Sequence, residues 1–512
     1  MIDKTVNLLV VFTLIGTEAL ATKQHIYQVI IIGTGFGGQS AALRLLKRGV
    51  TDFVMLERRS FMGGTWCQNS YPGAQVDVQS PLYSLASEPY PWSQMFAEQP
   101  ELEAYTKQVL EKHRLADKAL LNTNVTELRW LEHEQQWQVT TSAGVFLTRT
   151  VISAQGPLSN PLIPDFPGRE RYQGRSFHTN AWDHSYDYTG KRVAIIGSGA
   201  SAAQVIPAIA DKVAQLHVFQ RTPHWVMPRP DRKFAPWFRK LLGIRPFYQV
   251  LRKAIYWALE WRVLAFKYSP TLLKVFAERE ARRHLRKQIP DEDLRQKLTP
   301  DYTIGCKRII VSNTLYPALA RDHVTLHDRH DGIREFTEKG LITQQGQELE
   351  LDLVVYSTGF KATDGALGFN VVGQHETRLD DVWEDYPRAY LGTMMPNFPN
   401  LFLVTGPNTG IGHTSAIFVI ESQMIYIMRV LAELERRGAT SVAVTAEAEQ
   451  RYTDKIHHEM ARTVWQTGGC HSWYQSKSGK VTAMFPGFSF VYRYLAWRFR
   501  PQDHCFKSGA QL

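Results

Sequence analysis

Two segments of this 512-residue chain carry the same pattern, an apolar run ending in a glycine-rich turn that opens a helix-periodic stretch. In the first, Tyr27 to Ile32 leads into Gly33-Thr-Gly35-Phe-Gly-Gly38. In the second, the run from Arg192 to Ile196 leads into Gly197-Ser-Gly199-Ala-Ser-Ala202. A continuous apolar run of this length reads as a parallel strand buried on both faces. The glycines permit a tight turn, close approach of the backbone to a ligand, and close packing of the helix. Free N–H groups at the helix start, together with its dipole, favour an anion. Such a chain is α/β, with two Rossmann-like dinucleotide-binding domains.

The residue that ends the next strand separates the two units. In the first unit it is Glu57, 24 positions after Gly33. A carboxylate there accepts hydrogen bonds from ribose hydroxyls and repels a 2′-phosphate. The same count from Gly197 reaches Arg221, followed by Thr222. A guanidinium there can grip a 2′-phosphate through paired hydrogen bonds, and Thr222 adds a hydroxyl. The comparison assigns FAD to Gly33, Gly35, Gly38 and Glu57, and NADPH to Gly197, Gly199, Ser201, Arg221 and Thr222.

Strand patterns return after Leu351 (LDLVVYS, LFLVTG), and a long amphipathic helix follows from Ser415 to Arg437. The second nucleotide domain is therefore expected to be inserted in the first. The expected divisions are an extension over 1–24, the first part of the FAD domain over 25–160, and the NADPH domain over 161–345. Within the NADPH domain a helical insertion covers about 231–300. The remainder of the FAD domain and a C-terminal segment occupy 346–512. Leu8 to Ile15 is an apolar run, too short to span a bilayer. Ala19 to Ala21 resembles a cleavage site, but Met1 to Lys4 is a poor start for a signal; an extension or misplaced start is the preferred reading, and a processed signal or shallow anchor the alternative.

The hydrophobic fraction of 44% and charged fraction of 21% are those of a soluble globular protein. Four cysteines, Cys67, Cys306, Cys470 and Cys505, are widely spaced with no Cys-x-x-Cys pair. That argues against a disulfide framework, a zinc site or a dithiol centre, and suits the cytoplasm. No metal site is expected. Residues 231–290 hold 15 Lys and Arg against 4 Asp and Glu, with aromatic residues interleaved. An ordinary helical insertion with a solvated face is the first reading of this stretch, and peripheral membrane contact is the alternative. No nucleic-acid-binding module accompanies the charge.

Four further motifs carry a resemblance. The linker between the two units reads Tyr172-x-Gly174-x-x-x-His178-x-x-x-Trp182-Asp183. Ahead of it lies Gly63-Gly-Thr65-Trp66, then Tyr71-Pro-Gly73 and Asp77. Later come Gly305-Cys-Lys307-Arg308 and Cys470-His-Ser-Trp473-Tyr474. Together these resemble the Baeyer–Villiger monooxygenases, which convert ketones to esters or lactones with FAD, NADPH and molecular oxygen. The family begins the linker motif with Phe where this chain has Tyr172, and Ala154-Gln155-Gly156 departs from its usual Ala-Thr-Gly.

The resemblance implies oxygen transfer through a flavin C4a-peroxide to an apolar ketone. Arg308 then keeps the peroxide anionic and stabilises the adduct's oxygen, and Asp77 orients Arg308. Lys307 joins Arg221 at the 2′-phosphate, Thr65, Trp66, Asp77 and Trp473 approach the cofactors, and Gly174, His178 and Trp182 couple the domains. The rival readings are a flavin monooxygenase acting on nitrogen or sulfur, an NADPH oxidase, and a non-catalytic flavin-binding module. A disulfide reductase is disfavoured by the missing dithiol.

Overall fold

The structure, a computed structural model, describes residues 25–268, 273–361 and 367–508. The expectations about the N-terminal apolar run fall outside these residues. In the first sheet Ile26–Ile32 lies between Phe53–Leu56 and Gly144–Ser153, parallel to both. Ile30 and Ile31 are fully buried, as a strand covered on both faces requires. The end of Gly144–Ser153 also pairs in parallel with Leu401–Leu403, so a strand from late in the chain completes this unit. Antiparallel strands Val125–Leu131 and Gln136–Thr141 extend the sheet on its far side.

The second sheet has five strands, all parallel, in the order Val324–His327, Gln215–Phe219, Arg192–Ile196, Leu353–Tyr356, Arg175–His178. Two features differ from the sequence reading. The strand Leu353–Tyr356, expected in the returning part of the first unit, is instead hydrogen-bonded between two strands of the second sheet. A doubly buried parallel strand has the same apolar pattern in either sheet, so its sequence does not choose between them. The linker motif is also not a plain connection. Its Arg175–His178 segment is the edge strand of the second sheet, which places His178 beside Tyr356 at the carboxyl ends of the strands. Ligands of open α/β sheets bind at those ends.

The basic insertion forms helices Pro236–Leu242, Arg245–Glu260, Arg279–Gln288 and Glu292–Leu298, with wider turns between the second and third. Its aromatic residues divide. Tyr248, Tyr256 and Phe266 are buried, whereas Trp237, Trp257, Trp261 and Phe276 are exposed. The long helix runs from Ala416 to Arg437; Ser415 caps its start by accepting from the Ile417 N–H, and left-handed Gly438 ends it. Among the described residues no helix is long and apolar enough to cross a membrane.

Cys306 and Cys470 are joined by a disulfide, although the spacing of the cysteines argued against a disulfide framework. They stand 164 residues apart, so no local spacing announces the pair. Cys67 and Cys505 are free.

Candidate active site

The first glycine loop is shaped by close backbone contacts. Gly33 has a φ of +98°, and a Cβ on Gly38 would lie 2.0 Å from the Gly33 carbonyl oxygen. Only glycine tolerates both demands. Glu57 is buried at the end of the neighbouring strand. Its Oε2 accepts from the Thr34 N–H at 3.2 Å and the Thr34 hydroxyl at 2.7 Å, and its Oε1 accepts from the Arg59 N–H at 3.1 Å. The carboxylate is thus fixed at the rim of the loop with acceptor capacity to spare for a ribose. Gly64 packs against Gly35, so the segment holding Thr65 and Trp66 roofs this loop. The Trp66 indole N–H donates to the Tyr83 hydroxyl at 3.3 Å.

That same segment docks onto the second unit. The Tyr71 hydroxyl donates to Gln204 Oε1 at 2.9 Å and lies 3.2 Å from Ser201 Oγ, both on the helix after the second glycine loop. A Cβ on Gly73 would come within 2.4 Å of the Gln204 carbonyl oxygen. The linker meets this junction from the other side. Asn180 donates to Asn69 at 3.3 Å, and Ser70 shares a hydrogen bond with His184 at 2.7 Å. Trp182 is buried edge-on to Phe177 at 4.9 Å, in one apolar cluster with Tyr71 and Ala74. His178 accepts from the Asn180 N–H, and burial holds its pKa below the ordinary histidine value. Gly174 leaves no room for a side chain beside the Tyr172 ring. The hydroxyl that Tyr172 adds to the motif donates to the Leu351 carbonyl at 3.1 Å.

The second glycine loop is more open. Gly197 has a φ of +117° against Ser357, but a Cβ on Gly199 would meet nothing within 4 Å. The Ser198 hydroxyl donates to the Thr222 carbonyl, tying the loop to the strand end. Arg221 is exposed, and among the described residues no carboxylate pairs with it. Lys307 sits near it, half-buried over the Tyr302 ring. Burial first, and the charge of Arg221 second, hold the Lys307 pKa below the usual lysine value. Two cations that raise each other's energy in this way form a ready site for a phosphate.

Arg308 and Asp77 meet across 231 residues of sequence. Arg308 Nε donates to Asp77 Oδ2 at 2.8 Å, and its Nη2 donates to the same oxygen. The Asp77 carboxylate raises the Arg308 pKa still further, so this charge is permanent. Both side chains line a cavity of about 1070 Å3. Its walls come from every part of the chain: Tyr83 and Gln155 from the first unit, Lys307 from the second, Phe266 and Phe276 from the insertion, the Thr405 to Thr414 segment ahead of the long helix, and Trp473 with Tyr474 near the end. Trp473 is part-exposed to this space, while Tyr474 is buried beside Arg308. The sequence reading missed Tyr83, Gln155 and Tyr474 as wall residues, and missed Thr34, which fixes Glu57. Two of them left a signal: Gln155 as the departure at Ala154-Gln155-Gly156, and Tyr474 as the last residue of the Cys470-His-Ser-Trp473-Tyr474 motif. Among the described residues no group of histidine, cysteine or acidic side chains could hold a metal ion.

The structure therefore offers two glycine-loop cradles and, on the wall of one large cavity, a fixed cation. Comparison with known proteins agrees. The family described as pyridine nucleotide-disulphide oxidoreductase matches residues 30–245. A Baeyer–Villiger monooxygenase of Pseudomonas aeruginosa is 44% identical over 487 residues, 94% of this chain and 90% of its own length. Among solved structures, an oxidized steroid monooxygenase bound to NADP superposes with a TM-score of 0.84 at 30% identity, covering 95% of this chain and all of the other. A complex of OTEMO with FAD and NADP superposes with a TM-score of 0.84 at 26% identity, covering 94% of this chain and 99% of the other. The chain belongs to the Baeyer–Villiger monooxygenases, flavin- and NADPH-dependent enzymes that insert one oxygen atom of O2 into a ketone.

Proposed function

We propose that the chain oxidises an apolar ketone to an ester or lactone, with FAD at the loop of Gly33, Gly35 and Gly38 and NADPH at the loop of Gly197 and Gly199. FAD, reduced by NADPH, supplies the activated oxygen. Glu57 holds the FAD ribose, and Arg221, Thr222 and Lys307 hold the 2′-phosphate of NADPH. Ser201 stands at the second loop, and Thr65, Trp66 and Trp473 are contacts for the bound cofactors. Gly174, His178 and Trp182 belong to the joint between the two sheets, where a shift of the second unit is transmitted to the roof over the first loop. Leu264, Phe266, Phe276, Trp465 and Met484 give the cavity the apolar wall that a hydrophobic ketone needs.

The observation that carries this reading is Arg308, a permanent cation held by Asp77 at the cavity wall. There it stabilises negative charge developing on oxygen as the carbonyl reacts. Arg308→Ala should retain yellow cofactor and consume NADPH, yet lose ester formation by about 10²- to 10³-fold, the cost of removing one such donor. Normal ester yield in that variant would remove Arg308 from the chemistry. Sulfoxide but no ester from a mixed panel of ketones and sulfides would favour the rival reading.

We infer too a cytoplasmic enzyme in peripheral contact with membranes through the basic insertion. The helix Arg245–Glu260 exposes Val250 and Trp257 beside Lys253, and Trp261 follows it. Trp257 packs 5.8 Å from exposed Phe490 of the helix Ser489–Arg498, which also exposes Trp497 beneath Arg429. Exposed tryptophans among cations suit an anionic bilayer surface. Co-sedimentation with anionic vesicles and not with neutral ones is expected, weakened by Trp257→Ser with Trp497→Ser. No difference between the two vesicle types would refute this contact.

A further inference from the structure

The Cys306–Cys470 bond joins two segments that both reach the cavity. Arg308 lies two residues beyond Cys306, and Trp473 three residues beyond Cys470. Cys306 is fully buried in an apolar cluster with Trp225, Trp465 and Tyr474, while Cys470 is partly exposed at its edge. Backbone contacts accompany this packing along the seam. The Thr303 N–H donates to the Gly468 carbonyl at 3.0 Å, and a Cβ on Gly468 would strike Cys306. Asp77 holds the far end of Arg308, so the disulfide is the covalent restraint on its near end. We infer that Cys306 and Cys470 are positioning residues, and that their bond fixes the Arg308 guanidinium against the C-terminal wall of the cavity. It rests on the role assigned to Arg308 above.

A disulfide in a cytoplasmic protein is ordinarily a responsive element and not a permanent one. Reduction enters at Cys470, the partly exposed residue of the pair. An external dithiol breaks the S–S bond, supplies two electrons and two protons, and becomes a disulfide itself, leaving two thiols on the protein. Cys67 is a poor rival for this chemistry, since burial pushes its thiol up to about 11. In the reduced enzyme the Arg308 segment keeps Asp77 but loses its fixed distance to Trp473 and Tyr474. NADPH consumption then continues while less of it ends in ester.

Two measurements on the holoenzyme test this. Alkylation after denaturation should add two labels without reductant, at Cys67 and Cys505, and four after reduction; four labels in both cases would overturn the proposal. Ester formed per NADPH should fall at least threefold after treatment with dithiothreitol, with NADPH consumption within twofold, and should recover on reoxidation. Cys306→Ser and Cys470→Ser should each reproduce the reduced enzyme, the double variant should be no worse, and dithiothreitol should not affect them. Unchanged coupling in the reduced wild type, or additive losses in the two serine variants, would overturn it. The reduced wild type needs no substitution, so misfolding of a variant leaves the test intact. Loss of ester in Arg308→Ala with an unresponsive wild type would sink the disulfide's role alone. Normal ester in Arg308→Ala with a responsive wild type would overturn the route through Arg308.

Discussion

At the first glycine loop the carboxylate at the strand end, Glu57, is 4% exposed and takes three hydrogen bonds from Thr34 and Arg59. At the second, the residue at the matching position, Arg221, stands in solvent near Lys307, with no carboxylate paired to it among the described residues. The same strand–turn–helix unit has been finished in two ways. One cradle is built by packing and roofed by Gly64 and Trp66. The other is built by charge and left open above Gly199. A packed cradle suits a cofactor that stays through many turnovers, whereas an open cationic one suits a co-substrate that must leave. Charge at an exposed site is also screened by salt, so NADPH binding, and not flavin retention, should weaken as ionic strength rises.

The comparison can be broken most severely at the glycines. Gly38→Ala forces a Cβ into the Gly33 carbonyl and should yield protein without flavin, read as the ratio of flavin to protein absorbance. Gly199→Ala meets open space and should purify fully yellow; equal flavin content in the two variants would erase the distinction drawn here. Next in size are Arg221 and Glu57. Arg221→Ala should raise the KM for NADPH by about 10- to 100-fold, the worth of a charged hydrogen bond or two, and leave NADH use and flavin content nearly unchanged. Glu57→Gln should do the reverse, lowering flavin content without touching the NADPH constant.

A smaller effect sharpens the same contrast through pH. Lys307 has a lowered pKa, so its ammonium is present at low pH and lost as pH rises through that depressed value. NADPH affinity should therefore fall by a few-fold on the alkaline side, below the range where a free lysine titrates. Arg221→Ala should move that fall to higher pH, and Lys307→Met should abolish it. Affinity measured from pH 7 to 10 checks all three. Smallest is Tyr172→Phe, which deletes the hydrogen bond to Leu351 and should cost about 0.5–1.5 kcal/mol in urea unfolding with unchanged coupling of NADPH to ester.

Much of this was legible in the chain itself. Glycine turns and strands are local signals, and both strand–turn–helix units form where they stand. The pairing of Arg308 with Asp77 across 231 residues came only from the resemblance of two motifs. What stayed hidden is long-range contact between residues with no pattern of their own. Leu353–Tyr356 has the composition of a buried parallel strand and could complete either sheet. Cys306 and Cys470 look like isolated thiols until folding brings them together. Tyr83 reaches the cavity wall beneath Trp66, which no spacing records. The insertion's aromatic residues show the same limit. Basic helices with aromatic faces can be read from sequence, but whether Tyr256 or Trp257 faces inward depends on the partner surface.

The close approach of Gly73 to Gln204 bears on how such enzymes can be recombined. A chimera that replaces only the second nucleotide unit with a relative's places a foreign helix against Tyr71 and Gly73. Modular exchange of the NADPH unit should succeed only when residues 66–77 travel with it. The practical crossover point is therefore set by a contact surface and not by the apparent boundary between domains.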